Sequence, residues 1–147
     1  MISQTAEYAL RAIVYLARSP DEPHITREIA EATKIPSGYL AKVMQTLVRA
    51  GLVNSRRGLR GGFTLERSPE TISFLDVVNA VDPLKRIRSC PLGLAEHGDS
   101  LCPLHRRLDQ AMADIEHALG STNIADIMVG SEGRVPLGLF TLPTAEE

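Results

Sequence analysis

The chain lacks several features that would assign it to particular classes of protein. Its 147 residues include no Trp, three Tyr, three Phe and only two Cys, and two Cys are too few for a disulfide-stapled fold. No apolar run approaches the roughly 18 residues of a membrane helix. The first residues, MISQTAEYAL, lack a basic region and place Glu7 where a signal peptide is apolar. These absences predict a cytoplasmic protein with no membrane partner.

The chain also lacks the short motifs of the common enzyme classes. It contains no phosphate-binding loop of the P-loop or dinucleotide type, no G-x-S-x-G and no H-E-x-x-H. The glycines between 58 and 62 do not lie between a strand and a helix, so they do not form a phosphate loop. With 44% hydrophobic and 23% charged residues, the composition is that of one globular domain. We therefore expect no enzymatic activity.

A net charge of −2 gives little reason to expect a nucleic-acid partner, but the charge is unevenly distributed. Residues 34–67 contain seven basic residues and one acid, Glu66, a local net charge of +6, whereas the rest of the chain carries −8. Such a segment is either a solvated basic face or a surface that binds phosphate. The fold of the segment decides between these alternatives.

The order of predicted elements within and around this segment is that of a winged helix-turn-helix. Apolar spacing predicts helices over 3–17, 26–33 and 37–50, with Ser3, Thr26 and Ser37 as N-caps. Strands are predicted at 52–56 and 63–66, around a tip of glycine and arginine. Two helices joined by a Pro-containing turn and followed by a hairpin define this fold. The predicted fold class is therefore mainly α with a small β-hairpin wing.

A second group of helices follows the wing. Ser73 and Asp76 form a capping box before a fourth helix, and a longer helix is predicted over 104–119, with one short helix at 122–129. The long helix can bury its apolar stripe on the first helix or on the same helix of a second chain, and the latter predicts a symmetric homodimer on a palindromic operator. The predicted organisation is a DNA-binding domain at 1–82, a cysteine-containing sensor loop at 83–103, a dimerisation region at 104–130 and a flexible tail at 131–147.

The predicted DNA contacts lie on the first turn of the second helix, on the third helix and on the wing. A helix fits the major groove, while hydroxyls, backbone amides and cations contact phosphate. Arginine on a glycine-rich tip can enter a minor groove, because glycine lets the backbone approach closely. The predicted set is Thr26, Arg27, Ser37, Gly38, Tyr39, Lys42, Gln45, Arg49, Arg56, Arg57 and Arg60. Together they favour double-stranded DNA as the partner.

Four segments of the chain form a recognisable pattern: QTAEYALRAIVYLA, ITREIAEATKIPSGYLAKVMQTLVRAGLVNSRRGLRGGFTL, TISFLDVVNAVD and the region from CPLHRRLDQAMADIEHAL to TNIADIM. Over about 2–130 they resemble the Rrf-two-type winged-helix transcriptional regulators, the family of the iron–sulfur regulator IscR and the nitric-oxide sensor NsrR. The wing pattern GLV…RRG..GG is its most specific part. It implies a bacterial homodimeric regulator, most often a repressor, with Tyr39, Lys42, Gln45 and Arg57 at or near positions used on DNA.

The same resemblance gives the two cysteines a meaning. Many members hold a cluster with C-x5-C-x5-C, and Cys90 and Cys102 match the outer positions while Glu96 replaces the middle cysteine. His105 matches a C-x2-H pattern, and Glu7 falls where some members supply a carboxylate from the other subunit. A [2Fe–2S] cluster held by Cys90, Cys102, His105 and Glu7 is therefore implied, with Glu96 and His97 as less favoured ligands.

Several alternatives remain open at this stage. A [4Fe–4S] cluster is less favoured because the middle cysteine is missing, and zinc is a further alternative for the same donors. The cysteines are otherwise leftovers in a cluster-free member, or form a regulatory disulfide, although cytoplasmic thiols are normally reduced. The function favoured is a cluster-sensing DNA-binding regulator responding to redox state, nitric oxide or iron–sulfur status. The alternative is a cluster-free regulator controlled by thiol oxidation or a partner protein.

Overall fold

The structure is a computed structural model and describes residues 2–98, 100–129 and 136–137. Within these ranges the helices are α1 (Gln4–Ala17), α2 (Thr26–Thr33), α3 (Ser37–Arg49), α4 (Phe74–Val81), α5 (Pro103–Gly120) and α6 (Ile124–Met128), and the strands are β1 (Val53–Arg56) and β2 (Gly62–Leu65). Single 3₁₀ turns at Pro69–Thr71 and Ala95–His97 were not predicted. The predicted winged helix-turn-helix order is confirmed.

The first helix is the centre of the domain. It packs against α2, α3, α4 and α6, and its buried face is made largely of small residues, with Ala9 and Ala12 fully inaccessible beside Ile13 and Leu16. Small side chains allow the neighbouring helices to approach α1 closely. From α3, Leu40 contributes a fully buried side chain to the same core, and truncation of such a residue to Ala typically costs about 2–5 kcal/mol. None of the described helices combines the length and apolarity needed to cross a membrane.

Two of the predicted helix caps are confirmed. Ser3 Oγ accepts the backbone N–H of Ala6 at 3.2 Å at the start of α1. Ser73 and Asp76 exchange two hydrogen bonds at the start of α4, of 3.0 and 2.9 Å. These bonds satisfy N–H groups that a helix terminus leaves without partners.

Two other predicted caps are wrong by one residue. Thr26 and Ser37 are the first helical residues, and the N-cap positions are Ile25 and Pro36. The side chain of Glu28 folds back to accept the Ile25 N–H at 3.0 Å, so α2 begins without a hydroxyl cap. At α3 the Pro36 carbonyl accepts the first helical bonds, since the fixed φ of proline preorganises the turn.

The wing is a two-stranded antiparallel hairpin in which Val53 pairs with Leu65 and Arg56 with Gly62. His24, in the loop before α2, exchanges two backbone bonds with Phe63, His24 N to Phe63 O at 3.1 Å and Phe63 N to His24 O at 2.8 Å. Gly62 has φ +145°, and a Cβ there would lie 2.8 Å from the His24 carbonyl. An isolated hairpin is only marginally stable in water. The loop that contains His24 therefore stabilises the wing by fixing it to the helical body.

The fifth helix extends about 27 Å and packs against α4, and no side chain on it is buried. It is joined to the preceding segment by Arg86, whose guanidinium contacts both Asp109 oxygens at 2.7 Å and Glu116 at 3.1 Å. The Arg86 hydrogen bonds lower the pKa of Asp109 to about 2. The Ile87 N–H also donates to Asp109, at 2.9 Å, so the beginning of the predicted sensor loop is fixed to α5.

The sixth helix is joined by backbone hydrogen bonds to the segment that precedes α4. Its Ile124 N–H donates to the Ile72 carbonyl at 2.9 Å, and the Phe74 N–H donates to Thr122 O at 3.0 Å. Asn123 caps it by accepting from Asp126 N at 2.8 Å. The predicted short helix at 122–129 is thus confirmed as Ile124–Met128, while the predicted flexible tail at 131–147 lies outside the described residues except for 136–137.

Candidate nucleic-acid interface and sensor loop

The recognition helix, α3, has one buried and one exposed face, as predicted. Leu40, Val43, Met44 and Leu47 are buried, because their spacing places them on a single stripe. The predicted DNA-contacting side of α3 is exposed: Ser37, Gly38, Tyr39, Lys42, Gln45 and Arg49. The helix therefore presents polar and cationic groups to solvent over its whole length.

The Tyr39 side chain is held in place by two contacts with residues of α1. Its hydroxyl is hydrogen-bonded to Thr5 Oγ1, and its ring meets Tyr8 edge-on, with centroids 5.4 Å apart and planes at 81°. Edge-to-face aromatic pairs of this kind contribute about 0.5–1.5 kcal/mol beyond their burial. Tyr39 therefore has a defined position in the free protein while remaining exposed at the start of the recognition helix.

The predicted contacts on α2 lie in its first turn. Thr26 is half-buried and Arg27 is exposed. Arg27 Nε lies 3.9 Å from Glu31 on the next turn, with both side chains largely in solvent. An exposed pair of this length contributes little, so Arg27 remains able to exchange Glu31 for a phosphate.

The wing tip is built on glycine. A hydrogen bond from Gly61 N to Gly58 O, 3.0 Å long, closes a turn around Leu59 and Arg60, and Gly58 has φ +107°. A Cβ on Gly61 would lie 2.3 Å from the Arg56 carbonyl, so the tip requires glycine there. The sequence predicted this basic tip.

Five exposed cations of the recognition helix and the wing have no acidic partner within the described part of the chain. They are Lys42, Arg49, Arg56, Arg57 and Arg60. A group of cations without acids is an attractive surface for a polyanion. The basic segment of the sequence thus forms a recognition helix and a wing that are both cationic.

A network on α1 was missed by the sequence reasoning. Arg11 Nε pairs with Glu7 at 2.7 Å, and Arg11 Nη1 donates to the carbonyl of Thr33, the last residue of α2, at 3.1 Å. The same guanidinium lies 5.3 Å from the centroid of the Tyr8 ring, which in turn packs on Tyr39. The only sequence signal was the i, i+4 spacing of Glu7 and Arg11.

Two thiol–imidazole pairs lie in the predicted sensor loop and at the start of α5. His97 Nδ1 lies 3.3 Å from Cys90 Sγ, and His105 Nδ1 lies 3.4 Å from Cys102 Sγ. The backbone N–H of Leu94 and then the His97 imidazole lower the pKa of Cys90 to about 7. Both cysteines are free thiols. The predicted ligand His105 therefore adjoins its cysteine, and the less favoured His97 adjoins the other.

The four predicted metal ligands do not meet at one point in the single chain. No three His, Cys, Asp or Glu side chains form a metal-sized group among the described residues. Glu7 is held by Arg11, and Glu96 is exposed on the 3₁₀ turn. Thiolate with imidazole is nevertheless the donor chemistry that mixed-ligand [2Fe–2S] clusters accept. The donor types fit such a cluster.

A winged helix with a cationic recognition helix and wing defines a DNA-binding transcriptional regulator. The sequence profile of the Rrf2 family, described as "Iron-dependent Transcriptional regulator", matches residues 2–130. The chain belongs to this family, as its resemblance predicted.

Three relatives illustrate the range of the family. The transcriptional repressor NsrR of Streptomyces coelicolor is 32% identical over 151 residues, covering 97% of this chain and 98% of the relative. The structure of CymR, the global cysteine regulator of B. subtilis, is similar with a TM-score of 0.74 and 25% identity, over 90% of this chain and 98% of that one. IscR of T. potens gives a TM-score of 0.73 and 25% identity, over 88% and 86%.

Proposed function

We propose that this regulator is a cytoplasmic repressor that binds a palindromic operator as a homodimer, and that a [2Fe–2S] cluster controls its affinity. The observation that carries the proposal is the group of five cations on the recognition helix and wing that have no acidic partner among the described residues. The same chain has one thiol–imidazole pair in the predicted sensor loop and a second where that loop meets α5. The first feature supplies DNA binding and the second supplies a redox-sensitive control. The proposed signal is redox state, nitric oxide or iron–sulfur status.

Each predicted DNA residue has a proposed role. Lys42 and Arg49 neutralise phosphates, while Gln45 reaches base edges in the major groove. Thr26, Arg27, Ser37 and Gly38 contact the backbone at the two helix starts, where N–H groups attract phosphate. Arg56, Arg57 and Arg60 contact the adjacent minor groove and its phosphates. Tyr39 positions the recognition helix and contacts the backbone beside it.

The proposed homodimer is supported by apolar side chains on α5. Leu104, Leu108 and Ile115 are exposed, Leu104 to 64%. Ile2, Leu84 and Met112 join Ile115 around an apolar pocket of about 410 Å³. A second copy of α5 would cover this stripe and place two recognition helices on one operator. In this proposal residues 1–82 bind DNA, 83–103 sense and 104–130 dimerise.

The proposed cluster is held by Cys90, Cys102, His105 and Glu7 of the partner subunit. The thiol and imidazole donors that adjoin each other in two pairs, and the similarity to the relatives NsrR and IscR, support it. Glu96 and His97 are less favoured ligands, and [4Fe–4S] or zinc are less favoured occupants. When bound, such a cluster supplies one-electron redox chemistry at a site that can also be nitrosylated or lost.

Coupling between the two functions is proposed to run through Glu7 and Arg11. If Glu7 binds the partner's cluster, Arg11 loses its carboxylate while keeping its bond to Thr33 O. Arg11 also lies on Tyr8, which packs against Tyr39, so its adjustment reaches both helices of the helix-turn-helix. Coupling of about 1–3 kcal/mol, which changes affinity about 5–150-fold, is typical of allosteric proteins.

The test is anaerobic purification followed by iron, acid-labile sulfide and visible absorption measurements. Binding to an operator selected from random duplex DNA is then measured before and after cluster removal. We expect a coloured protein with two irons and two sulfides per site, lost in Cys90→Ala, Cys102→Ala and His105→Ala but kept in the exposed control His117→Ala. A colourless protein without iron or sulfide contradicts the proposed cluster. If Cys90→Ala binds DNA with unchanged affinity, the proposal that the cluster controls DNA binding is contradicted.

A cluster-free thiol regulator is the second candidate. The lowered pKa of Cys90 favours it, since a larger thiolate fraction at neutral pH makes a cysteine more reactive. The structural similarity to CymR, the global cysteine regulator of B. subtilis, supports the same alternative. A metal-free protein whose DNA affinity changes with mild peroxide and recovers with dithiothreitol would support this function over the cluster.

A further inference from the structure

Leu59 occupies an unusual place for an apolar residue. Its relative exposure of 108% is the highest among the exposed large apolar side chains of the described residues. Isolated surface leucines are common and need no explanation. Leu59, however, stands at the outermost turn of the wing, next to Arg60 and two residues from Arg57, where a polar residue would serve solubility better.

The backbone at this position is fixed. The Gly61 N to Gly58 O bond closes the turn over Leu59 and Arg60, and no Cβ can replace the hydrogen on Gly61 without meeting the Arg56 carbonyl. At its other end the hairpin is fixed to the body through the Phe63–His24 bonds. A side chain presented on a preorganised loop loses little freedom on binding.

We propose that Leu59 inserts into the minor groove of operator DNA and contacts sugars and base edges there. The inference deepens the proposed function and rests on it. Arg57 and Arg60 contact the phosphates on either side and set the depth of entry, because both are exposed cations with no acid to hold them within the described residues. Apolar side chains that enter the minor groove favour flexible pyrimidine–purine steps, where unstacking is easiest. Leu59 thereby adds sequence preference that cations alone do not give.

The test compares Leu59→Ala with the apolar control Leu59→Met on the selected operator, over a series of salt concentrations. We expect Leu59→Ala to bind about fivefold more weakly because apolar burial is lost, with an unchanged salt slope, while Leu59→Met stays close to wild type. With 2-aminopurine at the wing-facing step, wild type should raise the fluorescence and Leu59→Ala should not. Because the Leu59 side chain is fully exposed, circular dichroism should show all three proteins folded.

The outcomes separate this inference from the proposed function. If wild type binds the operator with salt sensitivity but Leu59→Ala binds equally well with the same fluorescence, the insertion is wrong and DNA binding stands. If wild type shows no salt-sensitive binding to any selected duplex, both the Leu59 insertion and the proposed DNA-binding function are wrong. A loss in Leu59→Ala accompanied by a smaller salt slope would also overturn the inference, because it would indicate displaced phosphate contacts.

Discussion

The hydroxyl of Tyr39, at the start of the recognition helix, is hydrogen-bonded to Oγ1 of Thr5, in the first turn of α1. The two residues are 34 positions apart in sequence, so the bond fixes the position of α3 relative to α1. Glu7, the proposed cluster ligand, lies in the same turn as Thr5. The first turn of α1 thus contacts the recognition helix through Thr5 and carries the proposed cluster ligand Glu7.

Removing this bond from either side is expected to have the same effect. Tyr39→Phe keeps the ring contact with Tyr8, and Thr5→Val keeps the shape of α1, yet each loses the hydrogen bond. One such bond contributes about 0.5–1.5 kcal/mol, so both variants should bind operator a few-fold more weakly. In a double-mutant cycle the combined variant should lose no more than either alone. A loss confined to Tyr39→Phe would mean that the hydroxyl acts on DNA directly.

Arg11→Gln is expected to uncouple the sensor from DNA. The variant loses the ionic pair with Glu7 and the guanidinium on Tyr8, while all proposed cluster ligands are retained. Iron and sulfide contents should equal those of wild type, but the ratio of DNA affinities with and without cluster should fall to about one. The exposed variant Arg107→Gln is the matched control and should keep the wild-type ratio. If the ratio of DNA affinities with and without cluster is as large in Arg11→Gln as in wild type, Arg11 does not couple the cluster to DNA binding.

Arg57→Ala is expected to weaken DNA binding in a salt-dependent manner. Loss of one phosphate contact should reduce the slope of log affinity against log salt by about 0.9 for each protomer bound. At low salt the affinity should fall about tenfold, equivalent to about 1.4 kcal/mol. Lys85→Ala removes the same charge from the segment after α4 and should change neither quantity. Identical titrations for wild type and Arg57→Ala would contradict the wing assignment.

The sequence predicted the architecture well where a local rule decided it. The apolar stripe of α3 and the glycine-rich tip are properties of neighbouring residues, and both were found within one residue of their predicted ends. The caps at Thr26 and Ser37 failed because Glu28 and Pro36 satisfy the helix starts in another way. Local propensity does not show which of two competing caps forms.

The long-range contacts of the site could not be predicted from the sequence. Arg86 meets Asp109 across 23 positions, and Arg11 reaches the carbonyl of Thr33 across 22. Such pairs depend on the rotation of one helix about another, which periodicity leaves undetermined. The thiol–imidazole pairing of Cys102 with His105 was more accessible, because three positions on a helix start place the side chains together.

Ile115→Asp is expected to disrupt the proposed dimer. The residue is exposed in the single chain, so a charge there need not destabilise the protomer, but it would be buried without a partner in a paired α5. Sedimentation velocity should show wild type as a dimer and the variant as a monomer at micromolar concentration. Val129→Asp, a charge placed on another exposed apolar residue, should remain dimeric. A monomeric wild type would contradict the dimer itself.

Asp109→Asn is expected to alter the acid dependence of stability. Hydrogen bonds from Arg86 lower the pKa of Asp109 from 3.8 to about 2, so the ionised carboxylate is favoured in the folded state. Its stabilisation is fully present above about pH 4 and is lost as pH falls towards 2, since the unfolded state takes up the proton first. Urea unfolding should therefore show wild type more stable than the variant at pH 7, with the difference shrinking as the pH approaches 2 and vanishing below it. A difference independent of pH would assign the effect to packing.

The bonds between His24 and Phe63 make the loop before α2 part of the wing. They involve backbone atoms only, so nearly any side chain at position 24 preserves them, whereas inserting or deleting a residue between 19 and 23 would shift the pairing. Changes in loop length there would tilt the wing without touching a DNA-contacting residue. A wing grafted onto another scaffold would therefore have to be transferred together with this loop.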